Sequence, residues 1–198
     1  MRCLTLADAL AAKGVQCTFI CREQEGNLIE YIRSKGHGVY SLPIGQAVDG
    51  DLAHSAWLGA TQAQDADASI PLLAKLQPEW LVVDHYALDA RWEVGAANPC
   101  TNLMVIDDLA DRAHTCNLLL DQTFGRETKD YQALVPEGCT LLCGSNYALL
   151  RPEFAALRPY SLQRREHPQL KRLLITMGGV DKDNVTAQVL NALRGCPL

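Results

Sequence analysis

The sequence predicts an α/β fold built on parallel strands, and three observations predict it. Short apolar runs recur along the chain between turn residues. Segments of helical period separate them, and several runs end in polar or acidic side chains. Apolar strands alternating with helices imply a parallel sheet covered on both faces, in the order of an open doubly wound fold. The 198 residues, 48% hydrophobic and 21% charged, are ordinary globular usage rather than that of a disordered chain.

The elements follow in order. Cys3, Leu6, Ala7, Leu10 and Ala11 fall at i, i+3, i+4, i+7 and i+8, one stripe of a helix that Gly14 stops. "VQCTFIC" reads as a strand, "NLIEYIRSK" as a helix stopped by Gly36, and "VYSLP" as a short strand. "DADASIPLLAKLQ" carries the next helix and Pro78 ends it. The strand "EWLVVDHY" follows, then the helix "DARWEVGAA" and the strand "NLMVIDD". "CNLLLDQ" and "CTLLCG" are two further short apolar runs. The stretch Arg158–Gln169, polar and aperiodic with two prolines, reads as a linker. After it come a strand in "LKRLLITM", a glycine turn and a helix.

Both ends read as cut. The first helix opens with no cap or strand before it, and one βα unit after the linker cannot bury its own apolar surface. The expected division is a first domain over 1–157, the linker over 158–169, and the start of a second domain over 170–198.

Composition excludes several classes. A formal charge of −5 with no basic run longer than "RR" argues against a nucleic-acid surface. Runs such as "WLVV" and "LLL" are too short to span a bilayer, and no charged-then-apolar leader is read at the start. The eight cysteines contain no C-x-x-C, and most sit in apolar segments as small hydrophobes, so neither a zinc site nor a disulfide framework is expected. Reduced thiols in a cytoplasmic protein are the expectation.

Three constellations could carry chemistry. In "TMGGVDKDN", Gly178 and Gly179 between a strand and a helix would let backbone N–H groups approach an anion; the same pair also serves a plain tight turn. Asp181 and Asn184 suit a helix start in either case. In "VVDHYALD", Asp84, His85 and Tyr86 lie at the carboxyl end of a buried strand, where open α/β sheets bind ligands. His85 is a base or a structural histidine there. In "MVIDDLADR", Asp107 and Asp108 reach the same sheet edge, as an acid–base or metal pair or, preferably, as solvated loop acids.

"MRCLTLADAL", "VVDHYALD", "VIDDLADRAHTCNLLLDQ", "YQALVPEGCTLLCGSNYALLRPEF" and "ITMGGVDKDN", in this order, resemble the UDP-2,4-diacetamido-2,4,6-trideoxy-β-L-altropyranose hydrolases of pseudaminic acid biosynthesis. The resemblance covers Met1 to about Leu193. It implies a glycosyltransferase-B-like fold, two Rossmann-like domains with the active site between them, the second almost entirely missing here. The implied reaction is metal-independent attack of water at the anomeric carbon with inversion, releasing UDP, without a cofactor. The resemblance matches Arg2 to the arginine of a G-x-G-H-x-x-R block, whose histidine, the base for water, would lie before Met1. The chain as it stands is therefore expected to be inactive. Tyr86 resembles the tyrosine beside the reacting sugar. Tyr147 and Arg151 fall in a segment that could contact substrate, and Gly178, Gly179, Asp181 and Asn184 match the turn facing the nucleotide-sugar. The intact protein is expected to be a monomer. A glycosyltransferase of the same fold and a non-catalytic binding or scaffold protein are the rival readings.

Overall fold

The computed structural model describes residues 1–45, 50–96, 102–169, 172–177 and 181–195. The chain divides into two compact units, Met1–Leu150 and Arg151–Leu198.

In the first unit, helix α1 (Arg2–Ala11) leads to strand β1 (Thr18–Arg22), helix α2 (Ile29–Ser34) and strand β2 (Gly38–Leu42). Strands β1 and β2 pair in parallel, Thr18 against Gly38 through Arg22 against Leu42. Helix α3 (Gln62–Leu76) then precedes β3 (Trp80–Val83), α4 (Ala90–Ala96), β4 (Asn102–Ile106), β5 (Leu118–Asp121) and β6 (Thr140–Cys143). These last four strands form a second parallel sheet in chain order. The α/β architecture with parallel strands is the one expected of a Rossmann-like half-domain.

Local chemistry sets the boundaries. Thr61 caps α3 in a reciprocal box: its hydroxyl accepts from the Gln64 N–H while the Gln64 side chain accepts from the Thr61 N–H. Pro71 lies inside this helix and withholds one backbone donor, yet the helix runs on to Leu76 and ends in a left-handed Gln77, just before Pro78. The core beneath the second sheet joins Val83, Leu103, Val105 and Leu119 to Leu73, Ala87, Trp92, Ala96 and Tyr131, all buried. The buried pair on α1 is Leu4 and Ala7 rather than the full expected stripe; Leu10 is half-buried and Ala11 exposed.

Strict alternation of strand and helix breaks after β4. Residues 107–117 cross to β5 with no helix; within them Arg112 pairs with Asp107, and His114 Nδ1 hydrogen-bonds Glu93 of α4.

The second unit corrects the linker expectation. Arg158–Glu166 belongs to helix α5 (Pro152–Glu166), not to a loop. Pro152 in its first turn costs no hydrogen bond, and Glu153 at the start with Arg164 and Arg165 at the end suits the helix dipole. No residue of α5 is buried. The expected strand before the glycine turn is also absent from the described residues: 172–177 have no partner strand there and form no ladder. Helix α6 (Val185–Leu193) forms as expected.

Candidate functional site

Parallel pairing brings Val83 opposite Val105, so the residues following β3 and β4 leave the sheet on one edge. Asp84, His85 and Tyr86 follow β3, and Asp107 and Asp108 follow β4. The N-terminal turn of α1 meets them. Arg2 donates from Nη2 to Asp84 Oδ1 at 2.7 Å and from Nε to both Asp84 oxygens at 3.1 Å. It also donates from Nη1 to Asp108 Oδ2 at 2.8 Å. The Tyr86 hydroxyl donates to that same Asp108 oxygen at 2.9 Å. The Cys3 thiol donates to Asp84 Oδ2 at 3.1 Å. One guanidinium thus ties two strand ends to a helix start, with the phenol at its margin.

Charge and burial act together here. Burial opposes the charged Arg2, but its bonds and attraction to Asp84 and Asp108 outweigh it and hold the guanidinium more firmly protonated than usual. Burial, then the negative Asp84, pushes the Cys3 thiol well up. Burial and the hydrogen bond to the Asp108 carboxylate raise Tyr86, so the phenol keeps its proton through the neutral range. The rings of His54 and Trp57 lie 5.4 Å and 5.9 Å from the Tyr86 ring. Their loop turns through Ser55–Leu58, leaving Trp57 exposed beside the phenol. A pocket of about 360 Å³ adjoins this loop, lined by Leu58, Ala60, Ala63, Ala87 and Trp92 with Arg91 and Asp51.

A buried layer supports the edge. Asp107 is fully buried and accepts from the backbone N–H groups of Leu109 and Ala110 and from the Tyr131 hydroxyl. Arg112 lies 2.9 Å from Asp107 Oδ1 as an ion pair rather than an aligned hydrogen bond, since that oxygen accepts none. Arg112 also donates to the Leu88 carbonyl at 2.8 Å, pinning the turn that carries Tyr86. Arg126 pairs with Asp121 at 2.6 Å and donates to the Asp108 carbonyl at 2.8 Å, fixing that backbone from below.

This geometry corrects the reading of Asp107 and Asp108 as solvated loop acids. One is sealed in the core network and the other is held by Arg2 and Tyr86. His85 takes its structural alternative. Its Nδ1 accepts from the Ala87 N–H at 3.1 Å, and burial lowers its basicity.

The other sequence-derived positions are placed as follows. Tyr147 ends a short 3-10 turn, Ser145–Tyr147, in the first unit and is 45% exposed. Arg151 precedes α5 in the second unit, its guanidinium 5.6 Å from the Phe154 ring. Asp181 accepts from the N–H groups of Val185 and Thr186 at 2.8 and 2.9 Å and so caps α6, which lowers its carboxyl through the Thr186 bonds. Asn184 takes a left-handed conformation, φ +49°, just before that helix. Gly178 and Gly179 lie outside the described residues. The link from Arg2 to both strand ends, and the His54–Trp57 wall, were not foreseen. Nothing local in the sequence marks either, since Arg2 lies 82 and 106 residues from the two acids.

No family model matches the chain. It is 26% identical over 190 residues, 93% of its length, to the UDP-2,4-diacetamido-2,4,6-trideoxy-β-L-altropyranose hydrolase of Campylobacter jejuni. It is 24% identical over 123 residues, 61% of its length, to an uncharacterized protein of Methanocaldococcus jannaschii. The chain spans 57% of the length of the first relative and 25% of the second. Among the described residues no helix is long and apolar enough to cross a membrane.

Proposed function

We propose that this chain, a relative of the UDP-2,4-diacetamido-2,4,6-trideoxy-β-L-altropyranose hydrolases, supplies part of a site that hydrolyses a UDP-linked diacetamido sugar. The observation that carries the reading is Tyr86, held by Asp108, which Arg2 holds in turn, at the carboxyl edge of two parallel strands, where open α/β sheets bind ligands. Water attacks the anomeric carbon, the bond from that carbon to the diphosphate oxygen breaks, and UDP leaves with inversion at the sugar. Such a reaction needs a base for water and stabilisation of a leaving diphosphate.

Tyr86 faces the reacting sugar in this reading. Gly178, Gly179, Asp181 and Asn184 bind the nucleotide-sugar in this reading. Tyr147 and Arg151 contact the substrate. No metal takes part, and the protein works in the cytoplasm as a monomer. Met1–Leu150 is the Rossmann-like domain in this reading, and Arg151–Leu198 belongs to the nucleotide-binding one.

The test is incubation of the protein carrying this chain with the UDP-linked diacetamido-altrose, with UDP measured by chromatography and the sugar anomer by NMR. Release of UDP with the inverted anomer and no acceptor supports the reading. Release that occurs only with an acceptor identifies a transferase, and no release with binding retained identifies a non-catalytic protein; either overturns it.

A further inference from the structure

We infer that Asp108 is a positioning residue for Tyr86: it draws the phenol's proton inward, so that Tyr86 meets its ligand as a hydrogen-bond acceptor. This rests on the reading above only in taking Tyr86 to face a ligand. A tyrosine hydroxyl has one proton and two lone pairs. At 2.9 Å from Asp108 Oδ2 that proton is committed. Asp108 cannot swing away from it easily, because Arg2 donates to the same oxygen at 2.8 Å and Arg126 holds the Asp108 backbone carbonyl. What the phenol has left to offer is its lone pairs. The ligand group it suits is therefore an O–H or N–H donor, either the attacking water or an amide or hydroxyl of the sugar.

The charged and titratable groups around Tyr86 are few enough to assign. Asp108 bonds the phenol directly, Arg2 and Asp84 stand behind it, and the His54 ring lies 5.4 Å away from the preceding loop. Arg2 attracts the phenolate and the two carboxylates repel it, Asp108 the more strongly for its direct bond. Asp108→Asn keeps the shape of the side chain and removes its charge, which isolates this contribution.

Two measurements test the inference. The first is the absorbance titration of phenolate, with Tyr86 isolated by difference from Tyr86→Phe. Asp108→Asn should move the Tyr86 midpoint down by about one pH unit; an unmoved midpoint overturns the inference. The second is turnover of the UDP-sugar. Asp108→Asn should lower kcat about tenfold to a hundredfold with UDP affinity unchanged, and Asp108→Glu should recover part of the loss. In the Tyr86→Phe background the Asn substitution should cost nothing more. Additive losses would show that Asp108 acts independently of Tyr86 and would overturn the assignment. The position of the Tyr86→Phe defect distinguishes the two donors: a fall in kcat marks the attacking water, a rise in KM marks the sugar, and no change in either refutes a ligand at Tyr86. If the unaltered protein releases no UDP, the hydrolase reading fails, and the titration still decides the bond to Asp108.

Discussion

Arg2→Met removes a cation that joins α1 to the ends of β3 and β4, and its cost can be worked from the contacts. The guanidinium makes three hydrogen bonds to Asp84 and one to Asp108, between 2.7 and 3.1 Å. The Arg2, Asp84 and Asp108 side chains are 17%, 22% and 26% exposed. An exposed ion pair contributes about 0.2–1 kcal/mol, whereas removing one partner of a buried pair costs about 3–5 kcal/mol. These exposures place Arg2 between the two limits, at about 2–3 kcal/mol, and methionine keeps most of the stem's packing. Urea unfolding followed by tryptophan fluorescence reads the right unit, because Trp57, Trp80 and Trp92 all lie within Met1–Leu150. With a slope of about 2 kcal/mol per molar urea, the midpoint should fall by about 1–1.5 M. Most of that cost is two carboxylates left without a counter-charge, so adding Asp84→Asn and Asp108→Asn should recover much of it. A midpoint shift below about 0.2 M, or a triple variant no more stable than Arg2→Met, would refute the electrostatic account.

Cys3 should alkylate slowly at pH 8, since burial and Asp84 hold its thiol well above the ordinary range and little thiolate is present; residue-resolved mass spectrometry showing it as fast as a free thiol would contradict the contact. Thr61→Ala should destabilise the first unit by about 0.5–2 kcal/mol through loss of the α3 cap, read as a urea midpoint, and Thr61→Ser should retain most of it. Burial works against the Asp107 carboxylate, but the Ala110 N–H, Arg112 and Tyr131 outweigh it and hold its folded-state pKa below the usual value. Its contribution is therefore present above about pH 4 and lost as pH falls through the folded value. Asp107→Asn should flatten stability against pH in that acid range, and an unchanged acid limb would remove Asp107 from the account.

The apolar strands were legible because each lies within a few residues and is bounded by turn chemistry. "EWLVVDHY", "NLMVIDD", "CNLLLDQ" and "CTLLCG" each contain one of β3 to β6, and each strand is shorter than the run that was read. Helix α5 was not legible, since its second half is polar and Pro159, which lies inside it, reads as a breaker. Asp107 was misread for a different reason. It looked solvated but is fully buried, and a charge inside a fold is satisfied by partners that sequence does not put beside it. Asp107 finds Arg112 locally but Tyr131 only across 24 residues.

The candidate site lies further along the same scale. Asp84, Tyr86 and Asp108 could be singled out from local pattern and Arg2 through the family resemblance, but separations of 82 and 106 residues hid that one guanidinium holds both acids. What local pattern cannot supply is the direction of a proton. A strand end followed by Asp-His-Tyr suggests a phenol that donates to a reacting oxygen. The Asp108 carboxylate, delivered by the next strand of a parallel pair, turns that donor around. The chemical sense of Tyr86 is therefore a property of the pairing of β3 with β4.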